Sequence, residues 1–294
     1  EHVKEEAAKD TSDAPLVLKH ARFRIGGGGG GGSPEAKEDE KQETASVDDE
    51  TRSRVSMDLT SRSSSGASFT VSEFNFTLKR GEVLAVCGPV GSGKSTFLNG
   101  ILEEAEAMGQ TEMIKHGQFS YAPQDPFILN QSLRDNVLFG APYDRERYNR
   151  VLDACALRPD IEQLGGSDLV EIGERGVTLS GGQRQRVSLA RAAYVRASCV
   201  ILDDPFSALD SGTGKLVFER LIAAPDALLK DAAVLLVTHA SHFISNRAVD
   251  KILLMVTGRN RFYGTWDELG HFEPTDEFTK RAVDDINSQV RENT

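Results

Sequence analysis

Val83-Leu84-Ala85-Val86-Cys87-Gly88-Pro89-Val90-Gly91-Ser92-Gly93-Lys94-Ser95-Thr96 is the stretch that decides the fold. Val83–Cys87 is an unbroken apolar run, the pattern of a strand buried on both faces. Gly88–Thr96 then fits G-x-x-x-x-G-K-[ST], between that strand and a helix expected from Thr96 to about Met108. Glycines let the backbone turn tightly enough to aim several N–H groups at one anion, and the helix N-terminus adds partial positive charge. In such a loop Lys94 reaches the β- and γ-phosphates of a nucleoside triphosphate, and the Ser95 hydroxyl is a ligand for Mg2+. A glycine turn that merely happens to precede a lysine would need neither flanking element.

Outward toward the N-terminus, Phe69, Val71, Phe74, Phe76 and Leu78 alternate broadly, and Lys79-Arg80-Gly81-Glu82 is a turn. Leu16–Ile25 reads as another short strand. Between the two lie seven glycines (Gly26–Gly32), an acidic stretch to Glu50 and the Arg/Ser-rich segment Thr51–Gly66. They offer almost nothing to bury, so 26–66 is expected to be a disordered insertion. Serines stand near arginines in Arg52-Ser53-Arg54-Val55-Ser56 and Arg62-Ser63-Ser64-Ser65. Phosphate on Ser56 or Ser64 would turn the local charge acidic; the alternative is an unregulated low-complexity loop.

Outward toward the C-terminus, Leu133–Val195 is mainly helical in pattern. Cys199–Leu202, Ala233–Val237 and Lys251–Val256 are three more buried strands. Strands alternating with helices mean an α/β domain with a largely parallel sheet. A net charge of −11 repels phosphate backbones and argues against nucleic acid as the main partner. Cys87, Cys155 and Cys199 sit among apolar neighbours and read as small buried hydrophobes in a reducing compartment. No apolar run approaches the ~18 residues of a membrane span. The chain opens on Glu1 without a signal peptide, as expected of a piece cut from a larger protein.

A second chemical motif, Val200-Ile201-Leu202-Asp203-Asp204, ends an apolar strand in paired carboxylates. Beside a phosphate loop, that is where Mg2+ is held and water oriented. Between the two lies Leu179-Ser180-Gly181-Gly182-Gln183, followed by Arg184-Gln185-Arg186-Val187-Ser188-Leu189-Ala190-Arg191-Ala192. Ser180 and the Gly181 and Gly182 amides open a helix, a ready place for an anion. This pattern resembles the signature motif of ATP-binding-cassette (ABC) ATPases. Tyr121-Ala122-Pro123-Gln124 resembles their Q-loop, Ser207-Ala208-Leu209-Asp210 their D-loop, and Val237-Thr238-His239 their switch histidine.

The short spacing from Lys94 to Gln124 narrows the match, as do Ser132–Gly140, Ala154–Asp160 and Glu171–Gly176. They resemble the first nucleotide-binding domain of C-subfamily, multidrug-resistance-associated transporters. The resemblance covers about 67–270. It implies a P-loop NTPase with a RecA-like core, a small antiparallel β-subdomain and an α-helical subdomain around 130–190. The domain is expected over 14–280, interrupted by 26–66, with 281–294 left as a tail.

What the resemblance implies about chemistry is specific. ATP with Mg2+ would lie on Gly88, Pro89, Val90, Gly91, Ser92, Gly93, Lys94, Ser95 and Thr96, with Ser95, Gln124 and Asp203 on the metal. Asp204, His239 and Gln124 would act on the attacking water and the γ-phosphate. Ser180, Gly181, Gly182, Gln183 and Asp210 would face the nucleotide of a second nucleotide-binding domain, docked head-to-tail.

Membrane domains would dock on 124–140, where Phe127, Ile128 and Leu129 are apolar, either as a surface or as core. The cassette would sit on the cytosolic face of a membrane and drive an exporter. Alternatives are a C-subfamily cassette that gates a channel or regulates a partner, and a soluble ABC ATPase.

Two positions depart from the family. Most members have Glu where Asp204 stands, although the first domain of the C subfamily commonly has Asp. The shorter carboxylate is displaced by about 1.5 Å. A ~1 Å misplacement can lower a rate on the order of a hundredfold, so ATP should be bound and poorly hydrolysed. The family also stacks adenine on an aromatic residue just after the first strand. Here Ile25 falls at that position and Phe23 is close by, as a stacking or a core residue.

Overall fold

The computed structural model describes residues 13–26 and 68–292. The expected insertion beyond Gly26, with Ser56 and Ser64, lies outside the described residues.

β1 (Leu16–Ile25) and β2 (Phe69–Leu78) pair antiparallel, with Leu16 opposite Leu78 and Ile25 opposite Phe69. β3 (Val83–Cys87) leads into the glycine loop and α1 (Lys94–Ile101). Three short strands follow: β4 (Glu106–Ala107), β5 (Glu112–Lys115) and β6 (Phe119–Ala122). The middle of the chain holds β7 (Gln131–Ser132), α2 (Leu133–Leu138), α3 (Arg145–Ala154), α4 (Arg158–Gln163), β8 (Glu171–Ile172) and the longer α5 (Gly181–Tyr194). Strands and helices then alternate: β9 (Cys199–Asp203), α6 (Ser211–Phe218, continued by a π-turn over Glu219–Ala223), β10 (Ala233–Val237), α7 (Ser241–Ile244) and β11 (Lys251–Val256). β12 (Arg259–Gly264), α8 (Trp266–Gly270) and α9 (Glu277–Glu292) complete the order.

One ten-stranded sheet runs β4-β1-β2-β12-β11-β3-β10-β9-β6, with β5 also on β1. Its β11-β3-β10-β9-β6 portion is parallel, and its β1, β2, β4 and β5 portion is antiparallel. This is the α/β P-loop NTPase architecture expected, with its antiparallel β-subdomain and a helical stretch between β6 and β9.

The continuous apolar runs are explained by burial on both faces. Val83, Ala85 and Cys87 of β3 pack with Val187 and Leu189 of α5 and Val217 and Phe218 of α6. Leu84 and Val86 face the other way, toward β1, β2 and Phe97, Leu98 and Ile101 of α1. All three cysteines are buried and free, and burial pushes the Cys87 and Cys199 thiols up to about 12. No helix among the described residues is long and apolar enough to cross a membrane.

Two expectations need correction. The helix after the glycine loop ends at Ile101, not near Met108. Its apolar spacing stops there, Glu103 takes φ 66°, and Glu106–Ala107 leave to pair with β1. Residues 281–294 are not simply a tail, because α9 runs to Glu292 with Thr279, Ala282, Val283 and Ile286 buried. Spacings of three and four put these residues on one helical face, so burial rather than composition holds the segment.

Candidate functional site

The sheet order assembles the site. β6, β9, β10 and β3 are neighbouring parallel strands. Gln124 therefore follows β6, Asp203 ends β9 with Asp204 next, His239 follows β10, and Gly88 follows β3, all beyond the carboxyl ends of their strands. Ligands in open α/β sheets bind in that position. A groove of about 480 Å3 lies there, lined by Val90, Gly91 and 93–96 of the loop together with Phe69, Gln124, Asp203, Asp204, Val237 and His239.

The loop owes its shape to two glycines. A Cβ on Gly88 would sit 2.0 Å from the Met255 carbonyl oxygen, so only glycine lets β3 leave the sheet beside β11. Gly93 caps α1 at φ 99° with no side-chain cap, leaving the first helical N–H groups to other acceptors. Lys94 is buried, and its Nζ donates to the carbonyls of Gly88 (2.8 Å) and Pro89 (2.9 Å). Burial pushes its ammonium pKa down, while Asp203 and Asp204 oppose the shift. A buried cation held by two neutral carbonyls and the Ser92 hydroxyl of its own loop is matched to an arriving anion.

The acidic end is equally strained electrostatically. Burial, with Asp204 beside it, raises the Asp203 carboxyl pKa; a hydrogen bond from Tyr121 and the charge of Lys94 lower it. The Tyr121 hydroxyl donates to Asp203 Oδ2 at 3.4 Å. Asp204 has φ 44°, a left-handed conformation that Asp tolerates better than most residues. Its N–H donates to the Val237 carbonyl, and its own carbonyl accepts from the Ser207 hydroxyl. His239 is exposed in the groove, and desolvation and Lys94 lower its pKa against the pull of Asp204.

The donor set fits Mg2+. Asp203, the Ser95 hydroxyl and the Gln124 amide are hard oxygen donors. Among the described residues, no group of three or more His, Cys, Asp or Glu could hold a metal unaided. Mg2+ ordinarily takes one or two carboxylates and completes its shell with waters and phosphates, so such a sparse set suits it.

Ser180, Gly181, Gly182, Gln183 and Asp210 lie outside this groove. Ser180 caps α5 in a reciprocal capping box with Gln183. Gln183 Nε2 also donates to buried Asp160, which pairs with Arg186 at 2.6 Å. A Cβ on Gly182 would lie 3.1 Å from the Ala208 carbonyl, so the signature and the Ser207–Asp210 turn touch in one chain. The Asp210 carboxylate accepts from the Thr213 N–H and caps α6.

The comparisons agree with this geometry. Residues 71–207 match the family model described as ABC transporter. Residues 71–207 form an ABC-transporter nucleotide-binding domain of the C subfamily. The chain is 44% identical over 200 residues to ATP-binding cassette sub-family C member 2 of mouse, and 47% identical over 189 residues to the human protein of that name. It is 44% identical over 200 residues to Multidrug resistance protein mrp-7 of Caenorhabditis elegans. These matches cover 68%, 64% and 68% of this chain but only 13%, 12% and 13% of the relatives. The chain thus spans about an eighth of their length.

For three residues named in the sequence reading, the contacts they make were not legible there. Tyr121 and Phe69 have roles visible only once strands distant in sequence are paired. Asp160 entered the sequence reading only as the end of the Ala154–Asp160 resemblance, and its contacts with Gln183 and Arg186 appear only in the fold. Phe23, left open between two roles, is core: it is fully buried, and a Cβ on Gly100 would overlap its ring.

Proposed function

We propose that this cassette binds ATP with Mg2+ in the groove at the strand ends, hydrolyses it slowly, and drives a membrane exporter by closing against a second nucleotide-binding domain. The observation that carries the reading is the convergence of Gln124, Asp203, Asp204 and His239 on a lysine loop, with the signature residues outside that groove. One groove and one separate glycine-led helix start are what head-to-tail pairing of two cassettes requires.

On ATP binding, Lys94 exchanges the Gly88 and Pro89 carbonyls for phosphate oxygens, and the open N–H groups of α1 face the same anion. Mg2+ would neutralise charge between the β- and γ-phosphates, held by Asp203, Ser95 and Gln124. Asp204 orients the attacking water and His239 donates toward the γ-phosphate. Because Asp204 is one methylene short, the water sits off line and turnover is slow. Ser180, Gly181, Gly182, Gln183 and Asp210 act on the partner's ATP.

Phe127 and Phe139, each about half exposed, supply the surface for the membrane domains on the cytosolic face. Their rings meet edge-on at 5.9 Å above Arg191, whose burial brings its pKa down to about 10. Ile128 and Leu129 are partly buried, so this surface is the two phenylalanines rather than residues 127–129. They border a cavity of about 680 Å3, larger than the nucleotide groove. Its size suits a protein element better than the chemistry, since Gln124, Asp203, Asp204 and His239 do not line it.

Calorimetric titration of ATP with Mg2+ into the chain and into Lys94→Ala tests the reading. Binding by the unmodified chain that falls roughly a hundredfold in the variant is expected. Equal affinity in both would overturn the site.

A further inference from the structure

The pairing of β6 with β9 puts one residue outside the groove in contact with one inside it. The two strands run parallel, with Tyr121 level with Ile201 and Ala122 level with Leu202. Side chains alternate across a strand. Ala122, Val200 and Leu202 belong to the core on one face of the sheet; Cys199 and Ile201 belong to the core on the other, with Phe119 packed against it. Tyr121, two residues after Phe119, and Asp203, two residues after Ile201, therefore share that second face.

The Tyr121 hydroxyl reaches Asp203 Oδ2 at 3.4 Å. Among the described residues this is the hydrogen bond that the carboxylate receives, and its Oδ1 accepts none. Lys94 does not compete for it, because its ammonium is bonded to the Gly88 and Pro89 carbonyls and the Ser92 hydroxyl. Tyr121 does not line the nucleotide groove; it lines the larger cavity, beside Phe119, Phe127 and Phe139. The phenol thus approaches the carboxylate from behind and takes up none of the nucleotide's space. A carboxylate at a strand end turns easily, because its last torsion is broad. A donor fixed on one oxygen settles that torsion before a metal arrives, and removing such a donor weakens metal binding.

We propose that Tyr121 is a positioning residue for Asp203, its hydroxyl holding Oδ2 so that Oδ1 is left for Mg2+. The inference rests on the groove being the site of ATP with Mg2+. Tyr121 acts through Asp203 alone, so its effect should appear only when metal is present and only while Asp203 is there to be held.

ATP titrations in Mg2+ and in EDTA test it, on the unmodified chain, Tyr121→Phe, Asp203→Asn and the double variant. The ratio of the two affinities measures what the metal adds. Tyr121→Phe removes only the hydroxyl, and is expected to lower that ratio about fivefold, the effect of one long hydrogen bond to a charged group. Its ATP affinity in EDTA and its urea midpoint should match those of the unmodified chain. Asp203→Asn is expected to lose most of the ratio, and adding Tyr121→Phe to it should change nothing further. Equal losses in Mg2+ and in EDTA for Tyr121→Phe would mean that the phenol only packs beside the groove, and would overturn the proposal. So would an undiminished ratio in Tyr121→Phe, or a further fivefold loss in the double variant. Asp203→Asn and Lys94→Ala separate this proposal from the reading beneath it. If Asp203→Asn keeps the full ratio, the metal is wrongly placed and the proposal falls with it; if Lys94→Ala keeps its ATP affinity, the groove itself is wrongly assigned.

Discussion

The groove and the signature helix are built from similar polar groups and satisfy them in opposite ways. At the start of α5, Ser180 and Gln183 cap each other, Gln183 reaches Asp160, and Asp160 holds Arg186 at 2.6 Å. In the groove, Lys94 has only neutral partners, the Gly88 and Pro89 carbonyls and the Ser92 hydroxyl, and the carboxyl of Asp203 is shifted upward by burial. Buried polar groups are costly when unpaired and rigidifying when paired. The signature region is thus a finished surface, preorganised to be presented, while the groove is finished only by its ligand. Substitutions should cost stability in the first and affinity in the second.

The largest break of this contrast is expected at Asp160. Its carboxylate and Arg186 are both largely buried, so Asp160→Ala strands a guanidinium and should cost about 3 kcal/mol of folding stability. Urea denaturation would read the loss, and ATP affinity of the remaining folded chain should be unchanged. Lys94→Ala should do the reverse, losing ATP while keeping the denaturation midpoint within about 0.5 kcal/mol, because it removes a charge that burial already disfavours. If Asp160→Ala left stability intact, or Lys94→Ala unfolded the chain, the contrast would be gone.

A smaller effect concerns pH. Desolvation and Lys94 lower the His239 pKa, and desolvation with Lys215 lowers that of His242. The folded chain therefore takes up these protons less readily than the unfolded chain. The stabilisation is present above the unfolded value of 6.5 and is lost as pH falls through the lower folded values. Thermal midpoints between pH 8 and about 5.5 should decline modestly on the acid side. In Lys94→Ala the His239 midpoint, followed by NMR, should move upward, since a like charge has gone. A downward move would mean that Lys94 does not act on His239.

The same contrast governs what could be read from the sequence. β3, β9 and β10 were legible because burial on both faces makes apolar runs, and the loop was legible because Gly88 and Gly93 tolerate no other residue. β4 and β5 were not, since short edge strands such as Glu106–Ala107 need only a partner, not a pattern. α9 was missed because Ala282, Val283 and Ile286 are spread among charged residues. The candidate site was legible motif by motif, but Tyr121 and Phe69 depend on pairings between distant strands. Phe69 meets Ile25 only across residues 26–68. No local signal carries that.

Asp204 is where the reading of the groove is most exposed. Steady-state ATP turnover of the unmodified chain, beside Asp204→Glu and Lys94→Ala, tests it most directly. ATP bound through Lys94, with negligible turnover that Asp204→Glu raises, is expected, even though Glu fits the left-handed backbone at φ 44° less well. Brisk turnover by the unmodified chain would contradict it, because Asp204 would then suffice for hydrolysis.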